Sequence, residues 1–286
     1  MPELPEVETI RQDLTKLIVG KKIAAVEVRF KKMVQPGNFS KVLVGRKIKK
    51  ISRRAKLLIF ELSGGLKMLV HLKMTGQLVY RAQDGKIGAV GGHPIVQNLQ
   101  ELPNKFSHVI FTFTDHSHLF FNDVRKFGYL KIADEKEVEE VKASYGIEPF
   151  TKDFILENFT TVILSRSKMK IKQLLMAQEL IAGLGNIYSD EACFYAGVRP
   201  QKPAGSLSNQ EIKKLFLAIL KVLKKSLGKR GTSVENYVDV YGREGGFVPY
   251  LMVYGRAGEK CKLCGNNLVK LKIGGRTSVY CPHCQK

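Results

Sequence analysis

The chain opens Met1-Pro2-Glu3-Leu4-Pro5-Glu6-Val7-Glu8, with three carboxylates in eight residues. The rest of the protein is strongly basic, with 47 Lys and Arg against 26 Asp and Glu and a net charge of +21. A helix start explains Pro5, Glu6 and Glu8, because proline suits a first turn and acidic side chains favour the positive end of the helix dipole. It explains Pro2-Glu3 poorly. Met before Pro is readily removed, and Pro2 would then carry a free secondary amine. An α-amino group has a reference pKa near ~8, so part of it is unprotonated and nucleophilic at neutral pH. Such an amine can attack a sugar C1′ and form an iminium, with Glu3 beside it as general acid and base. On these residues alone, the helix start and the nucleophile both stand as readings.

Cys261-x2-Cys264 is followed after 16 residues by Cys281-x2-Cys284, the spacing of a tetrahedral four-thiolate zinc site. All four positions are filled by protein, so one structural zinc per chain is expected, and His283 is not needed as a ligand. Gly274-Gly275 would turn a β-hairpin carrying Lys262, Lys270, Lys272 and Arg276. Cys193 stands apart. Clustered thiols without a disulfide framework fit a reducing compartment.

The charge points to a polyanionic partner, since each cation that neutralises a phosphate releases a counterion. A membrane is not expected: no segment approaches ~20 apolar residues, and the N-terminus is the reverse of a secretory n-region. A cytoplasmic protein follows. Gly183-Leu184-Gly185-Asn186-Ile187-Tyr188 reads as a turn between helices with Asn186 as cap. The following helix N-terminus could hold a phosphate, with Lys168, Lys170 and Lys172 just upstream. A plain helical hairpin with solvated lysines explains the same residues.

Several kinds of element must position these groups. Val7, Ile10, Leu14, Leu17 and Ile18 predict a helix over 5–19 stopped by Gly20. Short β-type runs follow at Ile23–Phe30, Leu57–Leu62, Leu66–Leu72, Gln77–Arg81, Val109–Thr114 and Leu119–Val124, which suggests a β-sandwich or barrel. The Gly-rich stretch 83–104 reads as a surface loop. The charged stretch 134–143 has helical propensity and reads as part of a connection. Helices are expected at 171–182 and 187–196. A longer one follows with Ile212, Leu215, Phe216, Ile219, Leu223 and Leu227 on its apolar side.

The segment Pro2 to Thr9, PELPEVET, resembles the N-terminal signature of the formamidopyrimidine-DNA glycosylases, bacterial enzymes that excise oxidised purines such as 8-oxoguanine. Further matches follow in order: Arg53-Arg54-Ala55-Lys56, His71-Leu72-Lys73-Met74-Thr75-Gly76, Asp123-Val124-Arg125-Lys126-Phe127-Gly128, the glycine turn, Val253-Tyr254-Gly255-Arg256 and the zinc segment. The resemblance implies an α+β protein of two domains. These are an N-terminal β-sandwich with flanking helices, and a helix-two-turn-helix module with a four-cysteine zinc finger. On this pattern 1–134 is the catalytic domain, 135–150 the linker, 151–250 the DNA-binding module with its lesion-recognition loop, and 251–286 the zinc finger. It implies a monomer acting on double-stranded DNA that contains oxidised bases or abasic sites, bound between the domains, in the bacterial cytoplasm with the nucleoid. The activity implied is base removal followed by β- and δ-elimination.

Through the same resemblance, Pro2 is the Schiff-base nucleophile and Glu3 the proton donor and acceptor. Lys56 is assigned to β-elimination and phosphate contact, and Arg276 to δ-elimination and phosphate binding. Lys172 and Asn186 hold phosphates. Met74, Arg125 and Phe127 form the wedge that fills the hole left by a flipped nucleotide. Some positions depart from the family pattern. Lys73 stands where Gly is usual, Phe106 replaces the first His of a Lys-His-x-His pattern and leaves His108, and Val124 replaces Pro. Ala177 replaces an acidic residue and Ser167 a DNA-contacting Lys. In Tyr237–Phe247, which resembles the loop closing over the flipped base, Arg243 and Gly245 replace Lys and Pro. An endonuclease VIII-like enzyme for oxidised pyrimidines and a non-catalytic zinc protein that binds DNA damage are the competing readings. Leu4 disfavours the first; Pro2, Glu3 and Lys56 disfavour the second.

Overall fold

The computed structural model describes residues 1–92, 101–232 and 246–286. The chain forms two compact units, one of residues 1–143 and 229–246, the other of 144–228 and 247–286.

The first unit begins with α1 (Leu4–Ile18), with Pro5 in its first turn and a capping-box pairing of Glu3 with Glu6. Its apolar stripe of Val7, Ile10, Leu14 and Ile18 is fully buried. Val19 leaves the helix in an extended conformation, and Gly20 takes φ +92° to turn the chain away. The strands are β1 (Ile23–Val28), β2 (Val34–Gln35), β3 (Ile48–Arg54), β4 (Leu57–Leu62), β5 (Lys67–His71), β6 (Gly76–Arg81), β7 (Ile87–Gly92), β8 (Ser107–Phe113), β9 (His118–Asp123) and β10 (Tyr129–Ala133), with a short α2 (Phe39–Leu43) between β2 and β3. They form two five-stranded sheets, ordered β1-β8-β9-β6-β7 and β2-β10-β5-β4-β3. One core takes side chains from both sheets, including Leu78, Phe111 and Phe121 from the first and Leu58, Phe60 and Val70 from the second, and α1 and α2 add to it. This is the expected sandwich. The first sheet is buried on its other face too, where Val79, Ile110 and Phe120 pack with Leu102.

The sequence-based loop at 83–104 needs correction, since 87–92 pairs with β6 as a strand. Backbone pairing prevails there over glycine content, and 93–100 lie outside the described residues. The charged stretch 134–143 becomes α3 (Glu135–Ala143), anchored by one buried residue, Val138, and packed on β10 and β5.

The second unit contains α4 (Leu156–Ser165), α5 (Ile171–Met176), α6 (Asn186–Ala196) and α7 (Asn209–Gly228). The helix expected over 171–182 stops at Met176, because Gln178 holds the following turn in place of helical bonds. Its amide donates to the Met176 and Leu184 carbonyls and accepts from Gly183 N–H. α7 buries Ile212, Leu215, Ile219 and Leu223 as its periodicity predicts, and Phe216 stacks on Phe154 with centroids 5.1 Å apart. The cysteine segment forms a hairpin of β11 (Val269–Ile273) and β12 (Arg276–Tyr280), turned at Gly274 and Gly275 with φ +54° and +75°. Among the described residues, no helix is long and apolar enough to cross a membrane.

Candidate active site

Pro2 is buried, and Glu3 is the N-cap of α1. The turn they form is fixed from below by Glu6, whose Oε2 accepts the Glu3 N–H at 2.9 Å. The other oxygen of Glu6 accepts the Thr232 N–H at 2.8 Å, so one buried carboxylate ties the first residues to the 229–232 segment. Asp13, two turns further along the same face of α1, pairs with Arg230. Residues 237–245 of the expected lesion loop, including Arg243 and Gly245, lie outside the described residues.

Lys56 occupies the tip of the β3–β4 hairpin, where Arg54 faces Leu57 and leaves Ala55-Lys56 as the turn. Ala55 takes φ +52°, the left-handed region a tight two-residue turn requires. Arg53 stiffens the tip by donating to the Ala55 carbonyl at 2.6 Å, and donates through Nε to Glu8 of α1 at 3.1 Å. Burial opposes the charge on Glu8, but hydrogen bonds from Arg11 and Gln12 and the adjacent Arg53 outweigh it and hold the carboxyl below its ordinary value. Helix and hairpin therefore present Pro2, Glu3 and Lys56 from one braced framework.

His71, at the end of β5, lies within one of the sequence motifs and is not among the candidate site residues named from them. Its Nδ1 accepts the Lys73 N–H at 3.0 Å, which leaves the proton on Nε2. Burial, helped by the Lys73 and Lys56 ammoniums, pushes its pKa down to about 3, so the ring stays neutral.

A half-buried turn and an exposed loop carry the remaining residues of this unit. Met74 lies in the 72–75 turn, closed by the Gly76 N–H on the Leu72 carbonyl. Arg125 and Phe127 lie in the loop after β9, where Phe127 is 53% exposed and the Arg125 guanidinium sits 4.7 Å from its ring centroid. An exposed aromatic under a cation is a poor solution for a core residue and a good one for a group that enters a base stack. His108 is buried and donates through Nε2 to the Asp123 carbonyl at 2.7 Å, which fixes the root of this loop.

The second unit holds the other expected residues. Lys172 is fully buried; its ammonium lies 2.8 Å from Asp190 and donates to the Thr277 carbonyl at 3.1 Å. Burial pushes Asp190 up against the pull of Lys172, Ser278 and the Val279 N–H. The pair bolts α5 and α6 to β12, a role that spacing alone hid among surface lysines. Glu191 does the same for the chain before the zinc segment, accepting the Met252, Val253 and Tyr254 N–H groups at 2.9–3.1 Å. Asn186 is the first residue of α6, and its predicted capping position belongs to Gly185, whose extended backbone needs no side chain there. The Asn186 Oδ1 is buried with no partner among the described residues; a rotated amide would offer its NH2 at the same point. Arg276 is exposed at the start of β12, directly after the glycine turn.

The four cysteine sulfurs lie within 4.8 Å of one another, with Cys261–Cys284 at 3.9 Å and Cys264–Cys281 at 3.5 Å. A zinc–sulfur bond of ~2.3 Å in a tetrahedron requires sulfur separations of ~3.8 Å. The donor set fits the ion without rearrangement, and Phe194, Val253, Leu268 and Val279 form a small core around it.

Comparison with known proteins covers the whole chain. Residues 1–130 match the formamidopyrimidine-DNA glycosylase N-terminal domain, 145–237 the H2TH domain of the same enzymes, and 258–286 the zinc finger found in FPG and IleRS. The formamidopyrimidine-DNA glycosylase of Listeria innocua is 40% identical over the full length of both chains. That of Pelotomaculum thermopropionicum is 38% identical over all of this chain and 99% of its own. Among solved structures, Lactococcus lactis Fpg in complex with DNA containing an abasic site superposes with a TM-score of 0.87 at 36% identity, covering 99% of each chain. The same enzyme with a DNA containing N7-benzyl-Fapy-dG gives 0.87 at 36% identity over the full length of both.

Proposed function

This chain belongs to the formamidopyrimidine-DNA glycosylase family, and on that premise we propose that Pro2, once Met1 is removed, is the nucleophile that opens damaged nucleotides. The protein is a DNA glycosylase of base excision repair with lyase activity, and its substrate is double-stranded DNA containing oxidised purines or abasic sites. Cys261, Cys264, Cys281 and Cys284 hold one structural zinc. That ion shapes the hairpin under Arg276 and supplies no reacting group.

In the proposed reaction the Pro2 nitrogen forms a bond to C1′ while the bond from C1′ to the damaged base breaks; the C1′–O4′ bond then opens to give an iminium, with Glu3 as the donor of the proton to O4′ and the carrier of protons at the sugar. The resulting iminium acidifies the neighbouring C2′ proton, whose loss expels the 3′ phosphate. Lys56 serves that β-elimination and contacts phosphate; Arg276 serves the δ-elimination that follows. Lys172 and Asn186 belong to the phosphate-holding unit. The burial of Lys172 against Asp190 supports an indirect role, through the position of β12. Met74, Arg125 and Phe127 fill the space left by the flipped nucleotide, with Arg125 reading the base opposite. The proposed functional division is 1–134, 135–150, 151–250 and 251–286; the three family matches, 1–130, 145–237 and 258–286, follow in the same order. A bacterial cytoplasmic enzyme working on the nucleoid fits the +21 charge and the bacterial relatives.

The observation that carries the mechanism is the Pro2-Glu3 turn, buried and fixed by Glu6 at the head of α1. An amide nitrogen at Pro2 is not nucleophilic, so removal of Met1 is a condition of activity. Borohydride added to the protein and a duplex with 8-oxoguanine opposite cytosine should trap a covalent adduct. Pro2→Gly should lose most of it. Undiminished trapping by that variant would show that the proline ring is not required, and undiminished trapping by a chain whose N-terminal amine is blocked would place the nucleophile on a lysine.

A further inference from the structure

Met74 sits in one turn and Arg125 and Phe127 in another, 50 residues later, yet one buried carboxylate holds both. Asp123 is fully buried at the end of β9. Its Oδ1 accepts the Thr75 hydroxyl and, at 3.1 Å, the Arg125 N–H; its Oδ2 accepts the Gly128 N–H at 2.7 Å. Thr75 closes the triangle, because its hydroxyl oxygen accepts the Arg125 N–H at 3.0 Å. These bonds cross from the Met74 turn to the Arg125–Phe127 loop and fix both ends of the latter.

The surroundings are built for that arrangement. Lys126 takes φ +59° at the middle of the loop, and Gly128 has no room for a side chain, since a Cβ there would lie 2.7 Å from Phe121 and 3.0 Å from Asp123 Oδ2. His108 holds the Asp123 carbonyl, and the Lys126 ammonium rests 4.9 Å from the Phe30 ring centroid, Phe30 itself packing on His108. A carboxylate taking three donors is strong, and its removal would leave the Gly128 N–H and the Thr75 hydroxyl without this acceptor.

We propose that Asp123, through Thr75, is a positioning residue for lesion recognition: it clasps the Met74 turn to the Arg125–Phe127 loop so that three wedge side chains enter a duplex as one preset unit. The inference rests on the wedge reading given above. Presetting matters because unstacking a base pair costs a few kcal/mol, and a wedge that had first to order two separate loops would add their entropy to that cost. It also fixes the guanidinium where it reads the orphaned base.

The test compares Thr75→Val, Thr75→Ser, Asp123→Asn and Arg125→Ala in the full zinc-loaded chain. Two quantities are read: excision of 8-oxoguanine opposite cytosine relative to adenine, and excision in the cytosine duplex relative to trapping on single-stranded abasic DNA. Thr75→Val and Asp123→Asn should lower both ratios about tenfold, the scale of one charge-assisted hydrogen bond. Thr75→Ser should restore them. Thr75→Val combined with Arg125→Ala should discriminate no worse than Arg125→Ala alone, because both act through the same guanidinium. A purely structural clasp would lower every rate in parallel and leave the ratios intact, which overturns the proposal. If Arg125→Ala loses discrimination while both clasp variants keep it, the clasp is wrong and the wedge stands. If Arg125→Ala itself discriminates normally, the wedge reading fails and the clasp with it. Should Asp123→Asn not fold, the threonine pair decides alone, since Thr75→Val replaces the hydroxyl by a methyl group and Thr75→Ser keeps it.

Discussion

The loops that carry the proposed wedge residues in the strand-rich unit and the hairpin that carries Arg276 in the helical unit face the same mechanical problem. Each must hold exposed, charged tips in one geometry. The strand-rich unit uses carboxylates that gather backbone N–H groups: Glu6 under the N-terminal turn and Asp123 under the wedge. The helical unit uses carboxylates in the same way, Asp190 for β12 and Glu191 for residues 252–254, but adds a metal site and a buried ammonium. The difference follows from size. The β-strands stand on a sandwich core, whereas the zinc hairpin has only a small apolar cluster of its own. A segment with so little to bury depends on the ion for its fold.

Zinc removal should therefore produce the largest and most local effect. Structural zinc contributes roughly 10–16 kcal/mol in isolated fingers, far more than any single hydrogen bond here. A strong chelator, or Cys281→Ser, should abolish DNA binding and release the amides of Val269–Tyr280 to hydrogen exchange, while those of β4, β5 and β9 stay protected. Equal loss of protection in both units would break the contrast. The chain has no Trp, so exchange or circular dichroism serves better here than indole fluorescence.

Next in size is the buried pair beneath that hairpin. Asp190→Asn leaves the Lys172 ammonium at 0% exposure without its counter-charge, a situation that costs about 3–5 kcal/mol. Lys172→Met should cost less, about 1–3 kcal/mol, because burial already favours the neutral form of Asp190 and its bonds from Ser278 and Val279 remain. Unfolding of the zinc-loaded chain, followed through β12 protection, measures both. A larger cost for Lys172→Met would reverse the assignment of which partner holds the other in place.

The same pair shows what the sequence could and could not reveal. Lys172 reads as one of three basic residues at alternate positions, but the phase of α5 turns Ile171, Lys172, Leu174 and Leu175 inward together. Helix phase needs the helix ends, and those depended on Gln178, a side-chain effect without a periodic signal. α1, β4 and the zinc hairpin were legible because apolar spacing or ligand spacing defines them. β3 was not, since IKKISRR has only two apolar residues facing the core, and β7 hid in glycines. Asp123 and His71 stood within quoted motifs, yet an acid beside Arg125 and Lys126 looks like a surface charge until its three donors are seen.

A pH titration sharpens the comparison within the strand-rich unit. His71 has its folded pKa depressed from 6.5 to about 3, so below ~6.5 the unfolded chain takes up a proton that the native ring refuses. Stability should fall as pH drops from ~6.5 toward ~3, by about 1.4 kcal/mol per unit from this group, or roughly 2 kcal/mol by pH 5. His71→Gln should flatten that slope. An unchanged slope would mean that the ring can swing into solvent and protonate.

Glu8 makes the smallest prediction and the cleanest control, because its sign is that of a carboxylate and its window lies lower. Its folded pKa is held below the ordinary 4.5, so its stabilisation is fully present above that value and is lost as pH falls through the lower, folded one. The bracing of Glu8 by Arg11 at 2.7 Å and Arg53 at 3.1 Å is partly solvated, with the carboxylate 17% exposed. Screening therefore limits the expected cost of Glu8→Gln to about 1 kcal/mol at pH 7. That cost should be constant between pH 7 and pH 5, where the histidine effect is growing, and vanish in strong acid. The braced hairpin adds a functional readout. If Arg53 positions the Lys56 tip through Glu8, Glu8→Gln slows strand cleavage at a preformed abasic site more than it lowers the unfolding midpoint would explain. A variant that loses stability but cleaves at the normal rate would show that the hairpin turn, with Ala55 in its left-handed conformation, holds Lys56 unaided.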